Sequence, residues 1–336
     1  MERLAYLAAR LVWLVVVVLG VTTLTFVITN LVPADPARLA AGLEARHEQV
    51  EEMRRLMGLD QPLLVQYWTY VRRLSHGDFG LDARSQRPVS TQLAAYFPAT
   101  LELVLSTMGL YVILGVLGGV AAAVGRRSWI DRAVQIVSLG GLALPAFWLA
   151  IVLQVVFFAQ LNLLPAAGRL SIGTAPPPHV TGMYVLDSLI SGNWATFRDA
   201  AAHLVLPVVT LLLGTIANVL RITRRAMIQV LTEPFITTAW AKGLASRTVI
   251  WRHTLINAGV PILTMIGLQT GYLFSGAVVV ETVFAWPGLG KYAVDSIGNL
   301  DFPPIMGVTL IVAAVFILVN LAIDLAYPLL DPRIQY

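Results

Sequence analysis

The sequence predicts an all-α polytopic membrane protein with six transmembrane helices, on three observations. First, 57% of its 336 residues are apolar and only 12% charged, with a mean hydropathy of +0.75. A soluble domain carries roughly 25% charged residues. So little charge cannot solvate a globule of this size, which excludes a soluble enzyme or a nucleic-acid-binding protein. The apolar content excludes disorder. Second, six apolar stretches reach the roughly 20 residues that a bilayer core demands. Third, the basic residues between those stretches are unevenly shared between the two sides. The net charge of +4 and the pI near 9.5 follow from loop arginines. The chain has no Cys, so it has no disulfide, thiolate metal site or Cys nucleophile.

The elements follow in order. The first span, residues 11–31, lies after Arg3 and Arg10. Its apolar stretch is longer than that of a signal peptide, and residues 30–36 make a poor small-residue cleavage site, so it reads as a retained helix. Residues 32–97 form an outside segment with two amphipathic helices. At residues 47–58, Val50, Met53, Leu56 and Met57 share a face and Gly58 is a stop. At residues 62–74, Leu63, Tyr67, Tyr70, Val71 and Leu74 repeat the pattern. This segment reads as a packed extracytoplasmic subdomain, or as a surface that meets a delivered ligand or partner. A core, residues 98–336, holds the spans 100–125, 134–160, 204–223, 258–284 and 305–327. Pro145 is expected to kink the third span. Residues 161–202, with Pro176-Pro177-Pro178, read as an outside loop.

With the N-terminus inside, the inside segments carry 12 basic and 4 acidic residues. The outside segments carry 11 basic and 12 acidic, most of them in the long charge-balanced loop. Both termini are therefore expected in the cytoplasm.

The inside loop 224–257 is long for a hairpin. Pro234 suits a first helical turn, residues 235–242 can be helical, and Gly243 can close them in a left-handed turn. A second short helix is expected at residues 246–257. Phe235, Ile236, Ala239 and Trp240 are apolar groups beyond the shelter of the membrane, rimmed by Lys242, Arg247 and Arg252. They fit a knob that docks in another protein's groove, and equally an interfacial helix with snorkelling basic residues.

No phosphate-binding loop of the Gly-x-x-x-x-Gly-Lys type, no His-Glu-x-x-His and no Gly-x-Ser-x-Gly occurs. The five His residues are scattered, so no metal site is expected. Glu102, Glu281 and Asp324 lie in or near spans and must face protein or water. Glu102 reads as helix-start stabilisation, Asp324 as a partner of Arg333 or another basic residue, and Glu281 as the wall of a polar path or an anchor of the outside loop. In the fifth span Gln269, Tyr272 and Gly276 fall at helical spacing on one side, with Thr270 and Ser275 nearby. Gln269, Tyr272 and Ser275 are candidates for a polar path, and helix packing through Gly267, Gly271 and Gly276 is the alternative. Ser138, Trp148 and Gln154 in the third span are lesser candidates. Charges near span ends disfavour an ATPase-independent channel or secondary carrier.

Thr237-Thr238-Ala239 with Gly243, then Arg252-His253, Asn257 and Pro261, resembles the EAA loop of ABC importer permeases, with Thr237-Thr238 in place of its opening Glu-Ala. Further segments add to the resemblance. They are Leu31-Val32-Pro33-Ala34-Asp35-Pro36, Leu56-Met57-Gly58-Leu59-Asp60-Gln61-Pro62, Gly77-Asp78-Phe79-Gly80, Arg87-Pro88-Val89 and Pro98-Ala99-Thr100-Leu101-Glu102-Leu103. Late in the chain come Glu281-Thr282-Val283-Phe284-Ala285-Trp286-Pro287-Gly288-Leu289-Gly290 and Asp331-Pro332-Arg333-Ile334. In this order they resemble the first-subunit permeases of dipeptide, oligopeptide and nickel ABC importers over nearly the whole chain. The resemblance implies a type I importer fold in a bacterial inner membrane. It implies a second homologous permease, two cytoplasmic ATPases that carry ATP and Mg, and an extracytoplasmic solute-binding protein. It implies that Phe235, Thr238, Ala239, Lys242, Gly243 and Arg247 couple to the ATPases. No cofactor is expected in this chain and no nucleic acid among its partners. Peptides are the expected solute, with nickel, metal chelates or glutathione as the alternative.

Overall fold

The structure, a computed structural model, describes residues 2–31, 36–42 and 45–330. The stretches Val32-Pro33-Ala34-Asp35 and Asp331-Pro332-Arg333-Ile334, and with the latter the expected partner of Asp324, lie outside these residues. Among the described residues every regular element is helical, and extended chain pairs only at an isolated bridge between Leu81 and Pro88. The early helices are α1 (Glu2–Leu31), α2 (Pro36–Ala41), α3 (His47–Leu56), α4 (Leu63–Ser75) and α5 (Val89–Val124). Next come α6 (Trp129–Ala143), α7 (Ala146–Leu153), α8 (Tyr184–Ile190) and α9 (Trp194–Leu231). The last are α10 (Pro234–Ala241), α11 (Ser246–Thr248), α12 (Gly259–Val283), α13 (Leu289–Gly298) and α14 (Phe302–Leu330). Two π-helical stretches, Gln154–Gln160 and Val249–Leu255, extend α7 and α11.

Local chemistry sets several boundaries. Ser128 caps α6 by accepting the Asp131 N–H, and Asn193 caps α9 by accepting the Thr196 N–H at 3.1 Å. The third span is not one kinked helix. Leu144 is extended ahead of Pro145, as a residue before proline prefers, and α6 and α7 meet at 106°. Helix α5 starts well before Thr100 and carries Pro98 inside it. Glu102 is therefore mid-helix, away from the orphan amides of a helix start. The second inside-loop helix is a single α-helical turn followed by π geometry.

Helices α5, α9, α12 and α14 are long and apolar enough to cross a membrane. The bent α6–α7 pair counts as a fifth crossing if taken as one span, and the apolar stretch of α1 among the described residues, Val15–Ile28, is shorter. The chain divides into two compact units, Met1–Ala99 with Pro287–Ile317, and Thr100–Trp286 with Leu318–Tyr336. In the first, Val89 and Leu93 of α5 pack on Leu289 and Tyr292 of α13 and Val308 of α14. Tyr96 stacks on Tyr292 at 4.8 Å. Helix α4 leans on α1 through Thr23 and Tyr67, whose hydroxyls lie 2.7 Å apart. In the second, α9 is the hub against which α6, α7, α8 and α12 pack. Ala226 and Met227 of α9 there meet Val120 and Ala123 of α5 and Ala258 and Ile262 of α12.

Candidate coupling element and translocation face

Helix α10 is short, and its two faces differ. Pro234 opens it without loss of an amide bond. Ile236 and Ala239 are buried against Val249, Val230 and Leu231, which roots the helix on the end of α9 and on the π-helical stretch. At its end Leu244 N–H donates to the Ala239 carbonyl at 3.3 Å and Gly243 N–H to that of Trp240 at 2.9 Å, with Gly243 at φ +75°. This is a Schellman closure, which needs a left-handed residue that glycine supplies without strain. Of the four apolar groups expected on the knob, Ile236 and Ala239 point inward, and only Phe235 and Trp240 stand out, each more than 40% exposed. Thr238, Lys242, Gly243 and Arg247 are exposed with them, as is Arg252.

Helix α12 is likewise two-sided. Gln269 is buried, and its Nε2 donates to the Thr215 carbonyl of α9 at 3.0 Å. Glu281 is fully buried and accepts the Thr100 hydroxyl at 2.6 Å. Thr270 and the Ile266 carbonyl hold the Tyr111 hydroxyl of α5 at 3.0 and 2.9 Å. Tyr272 and Ser275 lie on the other side, with Thr264, Leu268 and Val279, at helical spacing. Tyr272 is 68% exposed. The structure thus gathers two of the four candidates on one open face and engages the other two between helices. Gly267 and Gly276 are close approaches, to Ile323 of α14 and Leu211 of α9. Gln154 donates to the Ala166 carbonyl at 2.8 Å, Ser138 is buried and Trp148 is exposed.

Two buried carboxylates, Glu102 and Asp131, pair with arginines. Arg169 donates through Nη2 to Glu102 at 2.6 Å and to the Gly182 carbonyl at 2.9 Å. Its guanidinium lies 3.6 Å from the centre of the Tyr184 ring and 5.5 Å from that of Trp286. Glu102 also accepts the Val185 N–H at 2.7 Å, an amide in the first turn of α8. Asp187 gathers the N–H groups of Val180, Thr181 and Gly182 and the Thr181 hydroxyl. Those bonds hold its carboxyl below the usual range, against the burial that opposes it. At the start of α6, Asp131 takes a bidentate pair from Arg224 of α9, with Nη2 to Oδ2 at 2.9 Å. Sequence reasoning missed Arg169, Asp187 and the Asp131–Arg224 pair. The signal for Arg169 was Glu102 itself, because a carboxylate within a span favours a nearby cation.

Helices long and apolar enough to cross a membrane fit the membrane-embedded part of a transporter, and the relatives of this chain make it a permease subunit. The chain belongs to the family described as binding-protein-dependent transport system inner membrane component, whose model matches residues 115–336. The N-terminal model of the same systems matches residues 3–104. The chain is 46% identical over 321 residues to the probable D,D-dipeptide transport system permease protein of Escherichia coli K12, covering 96% of this chain and 94% of that one. It is 40% identical over 335 residues to the dipeptide transport system permease protein of Alkalihalophilus pseudofirmus, covering 99% and 100%. The glutathione transport system permease protein of Escherichia coli K12 is 38% identical over 333 residues, 99% of each chain.

Proposed function

We propose that this chain is one of two homologous permease subunits in an ATP-driven peptide importer, working by alternating access. In this reading six helical spans cross the membrane with both termini in the cytoplasm, α1 being the first span and the broken α6–α7 pair the third, and the inside excess of basic residues supports that orientation. Residues 32–97 form the extracytoplasmic helical subdomain, residues 161–202 the second outside loop, and residues 224–257 the cytoplasmic coupling loop within the core 98–336. Two cytoplasmic ATPases hold ATP and Mg, and an extracytoplasmic binding protein delivers the solute. ATP binding closes the ATPases, which move α10 through Phe235, Thr238, Lys242, Gly243 and Arg247, with Ala239 securing the helix from below. The motion reaches α9 and α12 and turns the path. Tyr272 and Ser275 line that path, and Gln269 and Glu281 set the position of the helix that carries them.

The observation that carries this reading is the pair of exposed aromatics, Phe235 and Trp240, on a helix whose other face is fully packed. The names of the similar permeases support di- and tripeptides as solute. Glutathione, itself a peptide, is the second reading, on the likeness to the glutathione permease. The test is uptake of labelled dipeptide by proteoliposomes holding the assembled transporter and its binding protein. Uptake should need ATP, should fall when glutathione displaces the label only in the second reading, and should vanish when residues 235–243 become a Gly/Ser linker. Retained uptake with that linker would refute the coupling role. Because the chain lacks cysteine, single cysteines map the path directly. Tyr272→Cys and Ser275→Cys should react with a water-soluble thiol reagent, while Gln269→Cys should resist it.

A further inference from the structure

We propose that the cavity of the first unit between α1, α3, α4 and the start of α14 binds one acyl chain of a membrane phospholipid. The cavity measures about 380 Å³, within the usual range for small-molecule sites. Its apolar wall includes Phe26, Met53, Met57, Phe79, Phe302 and Met306. Three of these residues set its depth in the membrane. Phe26 belongs to the apolar stretch of α1, and Phe302 and Met306 open the membrane-crossing part of α14. The cavity therefore lies where the apolar runs of two helices end, at the level where acyl chains meet their glycerol esters. The methionines supply a surface that adapts to a flexible chain.

A second observation comes from Tyr70, which also lines the cavity. Its ring stacks on Phe26 at 5.9 Å, and its hydroxyl is buried and without a hydrogen-bond partner. The neighbouring Tyr67 has the same ring partner, yet its hydroxyl is met by Thr23 at 2.7 Å. A buried, unbonded phenol is costly unless something brings it an acceptor. Burial also pushes the Tyr70 hydroxyl pKa up, so it stays a donor at any physiological pH. The occupant must then be apolar along its length and carry an acceptor at one end, which describes an acyl chain with its ester carbonyl. At the rim stands Arg73, half exposed, where Asp78 takes its Nε donor at 2.8 Å. Its remaining donors suit the phosphate that follows the ester in a phospholipid and is absent from a free fatty acid.

The test uses the assembled transporter in nanodiscs containing phosphatidylethanolamine with a diazirine in mid-chain. After irradiation, labelled peptides are mapped by mass spectrometry. Labelling at Met53–Met57 and Met306 should exceed that at Leu318, an exposed position on α14, by about tenfold, a difference of one decade in occupancy. Met306→Trp, or Leu81→Trp from the cavity's loop wall, should remove the excess and leave Leu318 unchanged. Tyr70→Phe keeps the stacked ring and should lower cavity labelling by about fivefold, the worth of one hydrogen bond. Labelling no greater than at Leu318, or insensitive to both Trp variants, overturns the proposal. So does a cavity that labels in the isolated chain but not in the assembled transporter, which would give it to a partner subunit. Diazirine palmitic acid in plain vesicles is the parallel arm. Stronger cavity labelling by the free acid than by the phospholipid would overturn the assignment to a phospholipid.

Discussion

Removing the Glu102 carboxylate should release the segment that follows α7 and its π-helical extension. The carboxylate is 4% exposed and Arg169 is 7% exposed. Glu102 holds two donors, Arg169 Nη2 at 2.6 Å and the Val185 N–H at 2.7 Å. In Glu102→Leu the guanidinium stays buried with no counter-charge, and the Val185 amide loses its acceptor. Breaking one side of a buried ion pair costs about 3–5 kcal/mol. At 1.4 kcal/mol per decade, that cost is an increase in local opening of about a hundredfold to a few thousandfold. Amide hydrogen exchange of the assembled transporter reads this directly at Val185. The amides of Thr181 and Gly182 are held by Asp187 within the same loop, so they should change far less. The double variant Glu102→Leu/Arg169→Met removes both charges and should recover most of the protection, since an apolar pair of similar volume replaces a buried ion pair at little cost. An acceleration at Val185 below tenfold in the single variant would refute the reasoning, as would a double variant no better than the single.

Other tests address the remaining sites. Gly243→Asp should abolish uptake at normal membrane levels of the protein. Among the described residues no atom beyond the adjacent residues lies within 4 Å of the added Cβ, so folding bears only about 1 kcal/mol of left-handed strain and the loss falls on the proposed docking surface. Gly243→Asn, which tolerates that backbone, should keep more uptake, and equal loss in both would count against the reading. Asp301 is pushed up to about 6, by burial first and then by the charge of Asp82, against the N–H bonds that Ala83 and Arg84 give it. A carboxyl raised in the folded state favours folding when protonated. Its contribution is full below about pH 4 and lost as pH rises through 6, an effect of at most about 3 kcal/mol. Wild type should therefore gain melting temperature over Asp301→Asn on acidification from pH 7.5 to 5, and parallel pH profiles would contradict this. Asp131→Asn should lower the melting temperature of the assembled transporter by loosening α6 from α9, at a cost of about 2–4 kcal/mol. The exchange Asp131→Arg/Arg224→Asp should restore part of it, and a swap no better than the single variant would argue against the pair.

Much of the helical layout was legible because apolar run length reports directly on a span. Helix α12 begins and ends within a residue of its expected bounds; α3 and α4 form where amphipathic spacing puts them, but Leu56, Met57 and Leu63 of their expected apolar faces stand exposed. The starts of α5 and α9 were not, because both helices continue beyond the apolar run into residues that bury one side only. The break at Leu144-Pro145 was legible as a proline but not as a 106° turn, since a kink and a break share the same residues. In α12 helical spacing put Gln269, Tyr272 and Gly276 on one side, but the structure splits them, with Gln269 and Gly276 against α9 and Tyr272 open beside Ser275. Gln269 depends on a carbonyl 54 residues away, and Glu281 on a hydroxyl 181 residues away. On α10 the sequence showed four apolar groups where the structure spends two on the root, a division that depends on Val249 and the end of α9.

That root decides how α10 behaves under load. Ile236 and Ala239 are wedged against the outgoing end of one span and the approach to the next, and the Schellman closure leaves no slack in the final turn. In the proposed coupling role, a force applied at Phe235 or Trp240 would reach both feet of this packed root, α9 and the π-helical stretch before α12. Stiffness is what such a part needs, more than affinity. A transporter that grips its motor well through a compliant bracket would hydrolyse ATP at full rate and move little solute.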